Sequence, residues 1–237
     1  MAKSTKSLLI GSVAPYSGKS GTIVGLAHQL KQQGLSVSYG KPVGTSFEST
    51  TGEDDVQFMQ QLLGLSDSQV RSPLIYLDPE TVQKSLYENV NRDYTQELKD
   101  YLSSVNGDIC ILEGAGSLSE GSLFNLSLPE IAEILDIPVL LVSRYTSPLM
   151  VDGLLKAKQE LGDRLLGTII NDVPSDALED CHTLIKPFLE KHQISVLGLL
   201  PKSSLLRSVS VRELAKQLKA EILCRPDRLD LMVECLT

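Results

Sequence analysis

The stretch from Gly11 to Ser20, ending Ser17-Gly18-Lys19-Ser20, constrains the fold more than any other part of the chain. It leaves an apolar segment, Ser7 to Val13, that reads as a strand. It opens a second segment, Ser20 to Gln33, in which Ile23, Val24, Ala27 and Leu30 recur at the spacing of one helical face. Gly34 follows as a helix stop. Strand, glycine-bearing loop and helix in this order gather backbone N–H groups and the positive end of a helix dipole at one point, which is what a polyphosphate requires. Lys19 adds a point charge for the β- and γ-phosphates, and Ser20 adds a hydroxyl ligand for Mg²⁺. Tyr16, Ser17, Gly18, Lys19, Ser20 and Gly21 are therefore the candidate nucleotide-binding set. The strict GxxxxGK[ST] spacing is not met, because Val13 stands five positions before Gly18. The plainer alternative is a Gly-Lys-Ser turn that only caps a helix.

The rest of the chain repeats the same alternation. Ser36 to Pro42, Asp108 to Leu112, Val139 to Ser143, Leu166 to Ile170 and Ser195 to Leu200 read as strands. They are continuous apolar runs, as in a sheet covered on both faces. Helices are predicted from Ser127-Leu-Pro-Glu130 onward, where a capping box and a proline mark the first turn, and over Val151 to Leu161, Asp176 to His192 and Ser210 to Lys219. The fold expected is α/β: a mainly parallel, doubly wound sheet with helices on both faces. Thr45 to Asp55 reads as a loop, and residues 56 to 105 as helical with breaks at Gly64, Pro73 and Pro79. Residues 1–220 form the expected nucleotide-binding domain, and residues 221–237 a tail that leads toward a missing second domain.

Charge and cysteine usage narrow the partners. A net charge of −8 argues against non-specific nucleic-acid binding, which needs clustered Lys and Arg. Apolar runs such as Pro138 to Val142 are strand-sized, far below the ~20 residues of a membrane span. Cys110, Cys181, Cys224 and Cys235 have no CxxC spacing and, without a secretion signal, read as reduced thiols of a cytoplasmic protein, Cys110 in the core. Four further features bear on chemistry. Ile109 to Glu113, followed by Gly-Ala-Gly116, delivers a carboxylate to the sheet edge where α/β proteins bind ligands, beside the phosphate loop. Mg²⁺ is satisfied there by one or two carboxylates plus phosphate oxygens. Lys41 leaves the second strand at the same edge, Glu53-Asp54-Asp55 forms an acidic cluster, and Asn171 ends another strand with an amide suited to an adenine edge. Read singly, each is also consistent with a surface lysine, a solvated helix start or a turn.

Taken in order, Ser17-Gly-Lys-Ser20, Gly40-Lys-Pro-Val43, Glu53-Asp-Asp55, Leu112-Glu-Gly-Ala-Gly116, Pro138 to Arg144, Gly167 to Asp172 and Val196 to Lys202 resemble the dethiobiotin synthetase superfamily. The likeness runs from about Leu8 to Leu218 and is strongest to the N-terminal P-loop domain of long phosphate acetyltransferases. The resemblance implies ATP and Mg²⁺ as ligands, with Ser20, Asp55 and Glu113 on the metal side. It also implies Lys19 and Lys41 near the transferred phosphoryl group, Asn171 at the adenine, and a homodimer. The sequence departs from the family in having Pro15-Tyr16-Ser17 where a glycine-rich loop is usual, and Ser117 after Gly116. Two functions follow: a nucleotide-responsive regulatory or interaction module serving a protein partner or a missing C-terminal domain, or an ATP-dependent ligase that activates a carboxylate or carbamate by phosphorylation.

Overall fold

The computed structural model describes residues 6–45, 54–88, 92–204, 206 and 208–233. Most of the predicted loop Thr45 to Asp55, with Glu53 of the acidic cluster, lies outside the described residues, as does Cys235 in the tail. By compactness the chain divides into two units, Met1–Leu200 and Pro201–Thr237.

The first unit is built on a seven-stranded sheet. Its strands are β1 (Lys6–Ser12), β2 (Val37–Gly40), β4 (Val70–Arg71), β6 (Ile109–Glu113), β7 (Val139–Arg144), β8 (Leu165–Val173) and β9 (Val196–Pro201), in the order β4-β2-β6-β1-β7-β8-β9. β1 pairs in parallel with β6 and β7, β2 with β4 and β6, and β7 with β8. A small separate sheet joins β3 (Val43–Gly44) to β5 (Ile75–Tyr76). The helices of this unit are α1 (Lys19–Gln32), α2 (Asp54–Leu63), α3 (Pro79–Glu88), α4 (Thr95–Ser103), α5 (Leu128–Leu135), α6 (Met150–Leu161), α7 (Leu178–Asp180) and α8 (Lys186–Lys191).

Period-two alternation on the strands sorts the core into two layers. Ile10, Ile111, Leu140 and Val142 pack with Ile23 and Ala27 of α1 and Val56, Met59 and Leu63 of α2. Leu9, Leu112 and Leu141 point the other way, into Leu98, Leu128, Ile131, Leu154 and Leu189 of α4, α5, α6 and α8. Helices thus cover both faces, which is why the strands read as unbroken apolar runs rather than alternating ones. The doubly wound α/β fold is as expected. Cys110 and Cys181 are buried in the second layer and Cys224 is exposed.

Three local expectations need correction. The second strand stops at Gly40, so Lys41 and Pro42 lie past its end. Residues 56 to 105 are not only interrupted helix, since β4 and β5 lie within them and β4 forms the sheet edge. The helix expected over Asp176 to His192 is broken by a π turn at Cys181–Ile185. Pro187 follows that turn; it has no N–H to give the carbonyl four residues back, and its ring crowds that carbonyl.

Two close approaches fix the sheet edge. A Cβ on Gly11 would meet Leu128 Cδ2 at 2.2 Å, and one on Gly114 would meet Leu128 Cδ1 at 2.5 Å. Leu128 opens α5 behind Ser127, whose backbone N–H donates to Glu130 Oε2 at 2.8 Å in the predicted capping box. In the second unit, β10 (Val209–Ser210) pairs antiparallel with β11 (Met232–Val233), and the predicted Ser210–Glu213 box opens α9 (Val211–Gln217). No helix of the described residues is long and apolar enough to cross a membrane.

Candidate functional site

The register of the central strands sets which side chains meet. Ile10 lies opposite Glu113, and Tyr39 lies opposite Ile111. Counting by twos, Ser12, Glu113, Tyr39 and Lys41 all fall on the sheet face that α1 covers, at the carboxyl ends of β1, β6 and β2.

Between β1 and α1 the backbone is turned by two left-handed residues, Tyr16 at φ 57° and Gly18 at φ 90°. Ser17 is buried between them, and its hydroxyl donates to the Ala14 carbonyl at 2.6 Å. At Gly18 a side chain is excluded twice over, by φ and by Asn171, whose Nδ2 would lie 2.2 Å from an added Cβ. The helix then starts with no side-chain cap and no acidic residue in its first turn. Its first amides have no intrahelical acceptor, so the turn keeps its donors and its positive dipole for an external anion. Tyr16, the bulky residue of the set, is 93% exposed and so does not fill the loop's concavity.

The charged groups converge on this turn. Lys19 Nζ donates to the Ala115 carbonyl at 3.0 Å and to Ser12 Oγ at 3.5 Å, and Ser12 Oγ donates to the Gly116 carbonyl at 3.1 Å. Burial lowers the Lys19 pKa from its ordinary value, Glu113 opposes that shift, Lys41 adds to it, and Glu120 and Asp55 oppose it in turn. Groups distant in sequence therefore share one field. Ser20 Oγ donates to Glu113 Oε1 at 3.2 Å, while Tyr39 Oη donates to Glu113 Oε2 at 2.7 Å. The Tyr39 pKa is raised well above the ordinary phenol range, by burial first and then by Glu113, so the hydroxyl keeps its proton as a donor.

Two of the predicted residues have partners that the sequence did not announce. Asp55 accepts from Lys41 Nζ at 2.5 Å. The Lys41 side chain is nearly fully buried, whereas Asp55 is half exposed. Asn171 sits within β8 rather than at its end, because that strand runs on to Val173. Its Nδ2 donates to the Ser17 carbonyl at 3.0 Å, tying the phosphate loop to the sheet. Gly21 lies in the first turn of α1 with open space around its Cα.

Two residues that sequence reading passed over belong to the group. Tyr39 looks like one more strand aromatic. Glu120 looks like one carboxylate of a Ser/Gly-rich loop, yet its Oε2 accepts from the Gly116 N–H at 2.5 Å.

The donor set fits Mg²⁺. Ser20 and Glu113 supply hard oxygens 3.2 Å apart at the uncapped start of α1, and Mg²⁺ is held by one or two carboxylates and substrate phosphates rather than by an all-protein cage.

Residues 6–210 match the AAA domain family AAA_26. The chain is 23% identical over 237 residues to a phosphate acetyltransferase of Synechocystis sp., covering 97% of this chain and 34% of the relative. It is 29% identical over 206 residues to a cobyrinate a,c-diamide synthase of Listeria monocytogenes, covering 83% and 40%. It is 27% identical over 195 residues to an ATP-dependent dethiobiotin synthetase of Pseudomonas aeruginosa, covering 78% and 85%. The chain thus spans roughly a third to two fifths of the first two relatives, and the superfamily resemblance seen in the motifs holds.

Proposed function

The chain belongs to the AAA_26 family of AAA domains, and from that premise we propose that it binds ATP with Mg²⁺ and acts as a nucleotide-responsive regulatory or interaction module. One observation carries the reading: an uncapped helix N-terminus bearing Lys19 and Ser20 faces the Glu113 strand tip, with Ser20 and Glu113 already hydrogen-bonded. In this reading the Gly18–Gly21 turn and Lys19 hold the polyphosphate. Ser20 and Glu113 hold Mg²⁺, which would neutralise the phosphate oxygens. Asn171 keeps the loop in shape through Ser17, and adenine lies near that strand. The carboxylate of Glu120 on the Gly116 N–H favours the module, because an acidic second substrate would have to displace it. We place the protein in the cytoplasm, as a homodimer.

Lys41 supports a second reading. A buried ammonium close enough to lower the Lys19 pKa would put two cations at the end of the polyphosphate. That is the electrostatic demand of phosphoryl transfer to a carboxylate or carbamate. The similarity to an ATP-dependent dethiobiotin synthetase points the same way. In this reading Lys19 and Lys41 stabilise the transferred group.

One experiment separates the two. ATP hydrolysis and oligomeric state are followed together, by phosphate release and light scattering, with and without added diamines and carboxylates. ATP-dependent change in assembly without substrate-stimulated turnover is the outcome expected of the module. Turnover that needs an added amine or carboxylate contradicts it and supports the ligase.

A further inference from the structure

Tyr39 is fully buried in the layer under α1, among Ile23, Val37 and Ile111. Packing there would be served as well by phenylalanine, and a hydroxyl placed in a core costs stability unless it finds a partner. Its partner is the one carboxylate of the strand tip. From β2 the ring lies opposite Ile111 and reaches two residues further along β6, where Oη meets Glu113 Oε2 at 2.7 Å. Glu113 is itself 3% exposed. Its two oxygens therefore have separate engagements: Oε2 is held from within the core, and Oε1 faces the Ser20 hydroxyl at 3.2 Å, on the phosphate side.

We infer that Tyr39 is a positioning residue: by holding Oε2 it leaves Glu113 a single oxygen for the nucleotide-bound cation or its water, and this makes the site discriminate Mg²⁺ from Ca²⁺. The inference rests on the Mg²⁺·ATP reading above. The physical difference between the ions supplies the selectivity. Mg²⁺ is small, keeps several waters and takes single oxygens in an octahedron, whereas Ca²⁺ takes six to eight oxygens and readily accepts both oxygens of one carboxylate. A carboxylate held through Oε2 from the core meets the first demand and resists the rotation that would turn both oxygens toward one ion. Without the hydroxyl, Glu113 is free to rotate and offer both.

The test is a calorimetric titration of the full chain with ATP in Mg²⁺, in Ca²⁺ and in EDTA, for wild type and Tyr39→Phe, with folding checked by circular dichroism. Wild type should prefer Mg²⁺. In Tyr39→Phe the ratio of Mg²⁺- to Ca²⁺-supported affinity should narrow by roughly five- to tenfold, the scale of one intramolecular hydrogen bond, while affinity in EDTA stays the same. A folded Tyr39→Phe with the wild-type ratio would overturn the role given to Tyr39. Wild type that binds no ATP in any of the three media would instead overturn the nucleotide reading beneath it, so the two failures are distinguishable. If Tyr39→Phe does not fold, infrared difference spectra of wild type against Glu113→Gln on adding Mg²⁺·ATP decide the matter. Carboxylate stretches of a one-oxygen acceptor support the inference, and those of a two-oxygen chelate contradict it.

Discussion

Gly18 shows how closely the phosphate loop is determined at single residues. Its φ of 90° places it where a side chain is strained, and Asn171 Nδ2 occupies the space a Cβ would need. Gly18→Ala should therefore cost about 1–3 kcal/mol of stability in urea denaturation. In an Asn171→Ala background the cost should shrink, because the steric part is gone and only the backbone strain remains; an undiminished cost would mean that Asn171 does not press on the loop. Lys19, Ser20 and Glu113 were legible in the sequence because each ends or begins an element whose period is unambiguous. Tyr39 and Glu120 were not. A strand aromatic and a loop carboxylate declare their role only through register and through a turn that brings Glu120 back to Gly116. Asp55 was read as a metal-side acid on resemblance alone, and its ion pair with the buried Lys41 is a contact between elements that the acidic run Glu53-Asp-Asp55 does not announce.

At the scale of elements, the edge of the sheet depends on α5 starting in the right place. Its Leu128 fills the space over Gly11 and Gly114, and the Ser127–Glu130 box fixes that start. Ser127→Ala should cost about 1 kcal/mol and lower Tm by roughly 2–4 °C, as calorimetry would show; an unchanged Tm would remove the box from the account. β6 carries a second test. Burial pushes the Cys110 thiol up to about 11 from its ordinary 9.0, with Ser38 opposing. The folded state then keeps a proton that the unfolded chain loses first, so this contribution to stability is complete below about pH 9 and is lost as pH rises toward 11. Cys110→Ala should flatten that alkaline fall relative to wild type in paired denaturation curves; identical slopes would contradict it. The long strands and α1, α5, α6 and α9 were readable because their apolar periods are clear, and α5 and α9 also carry capping boxes. β3, β4 and β5 have two residues each, too few to show a period, and they exist because neighbouring backbone offers hydrogen-bond partners. The π turn before Pro187 was equally hidden, since the apolar spacing of that segment suits an ordinary helix.

Over the whole molecule, binding and folding are linked. A ligand held only by the folded state at about a hundred times its Kd stabilises by ~2.7 kcal/mol. Mg²⁺·ATP at that level should therefore raise the Tm of a chain of this size by roughly 5–10 °C, and a thermal scan without that rise would count against a preformed site. The doubly wound architecture was legible because its order of strands and helices is dictated by local pattern, whereas the charge field around Lys19 is assembled from Glu113 of β6, Asp55 of α2 and the loop residues Lys41 and Glu120, and exists only in three dimensions. The central claim is that the loop from Gly11 to Ser20 holds a polyphosphate through α1's first turn and Lys19. Its most direct test is a calorimetric titration of the chain with Mg²⁺·ATP beside the folded Lys19→Ala variant. The account predicts saturable binding by wild type and a loss of ~1.5–3 kcal/mol in the variant, about ten- to a hundredfold in Kd. Equal affinity in the two proteins, or no binding by either, would contradict it.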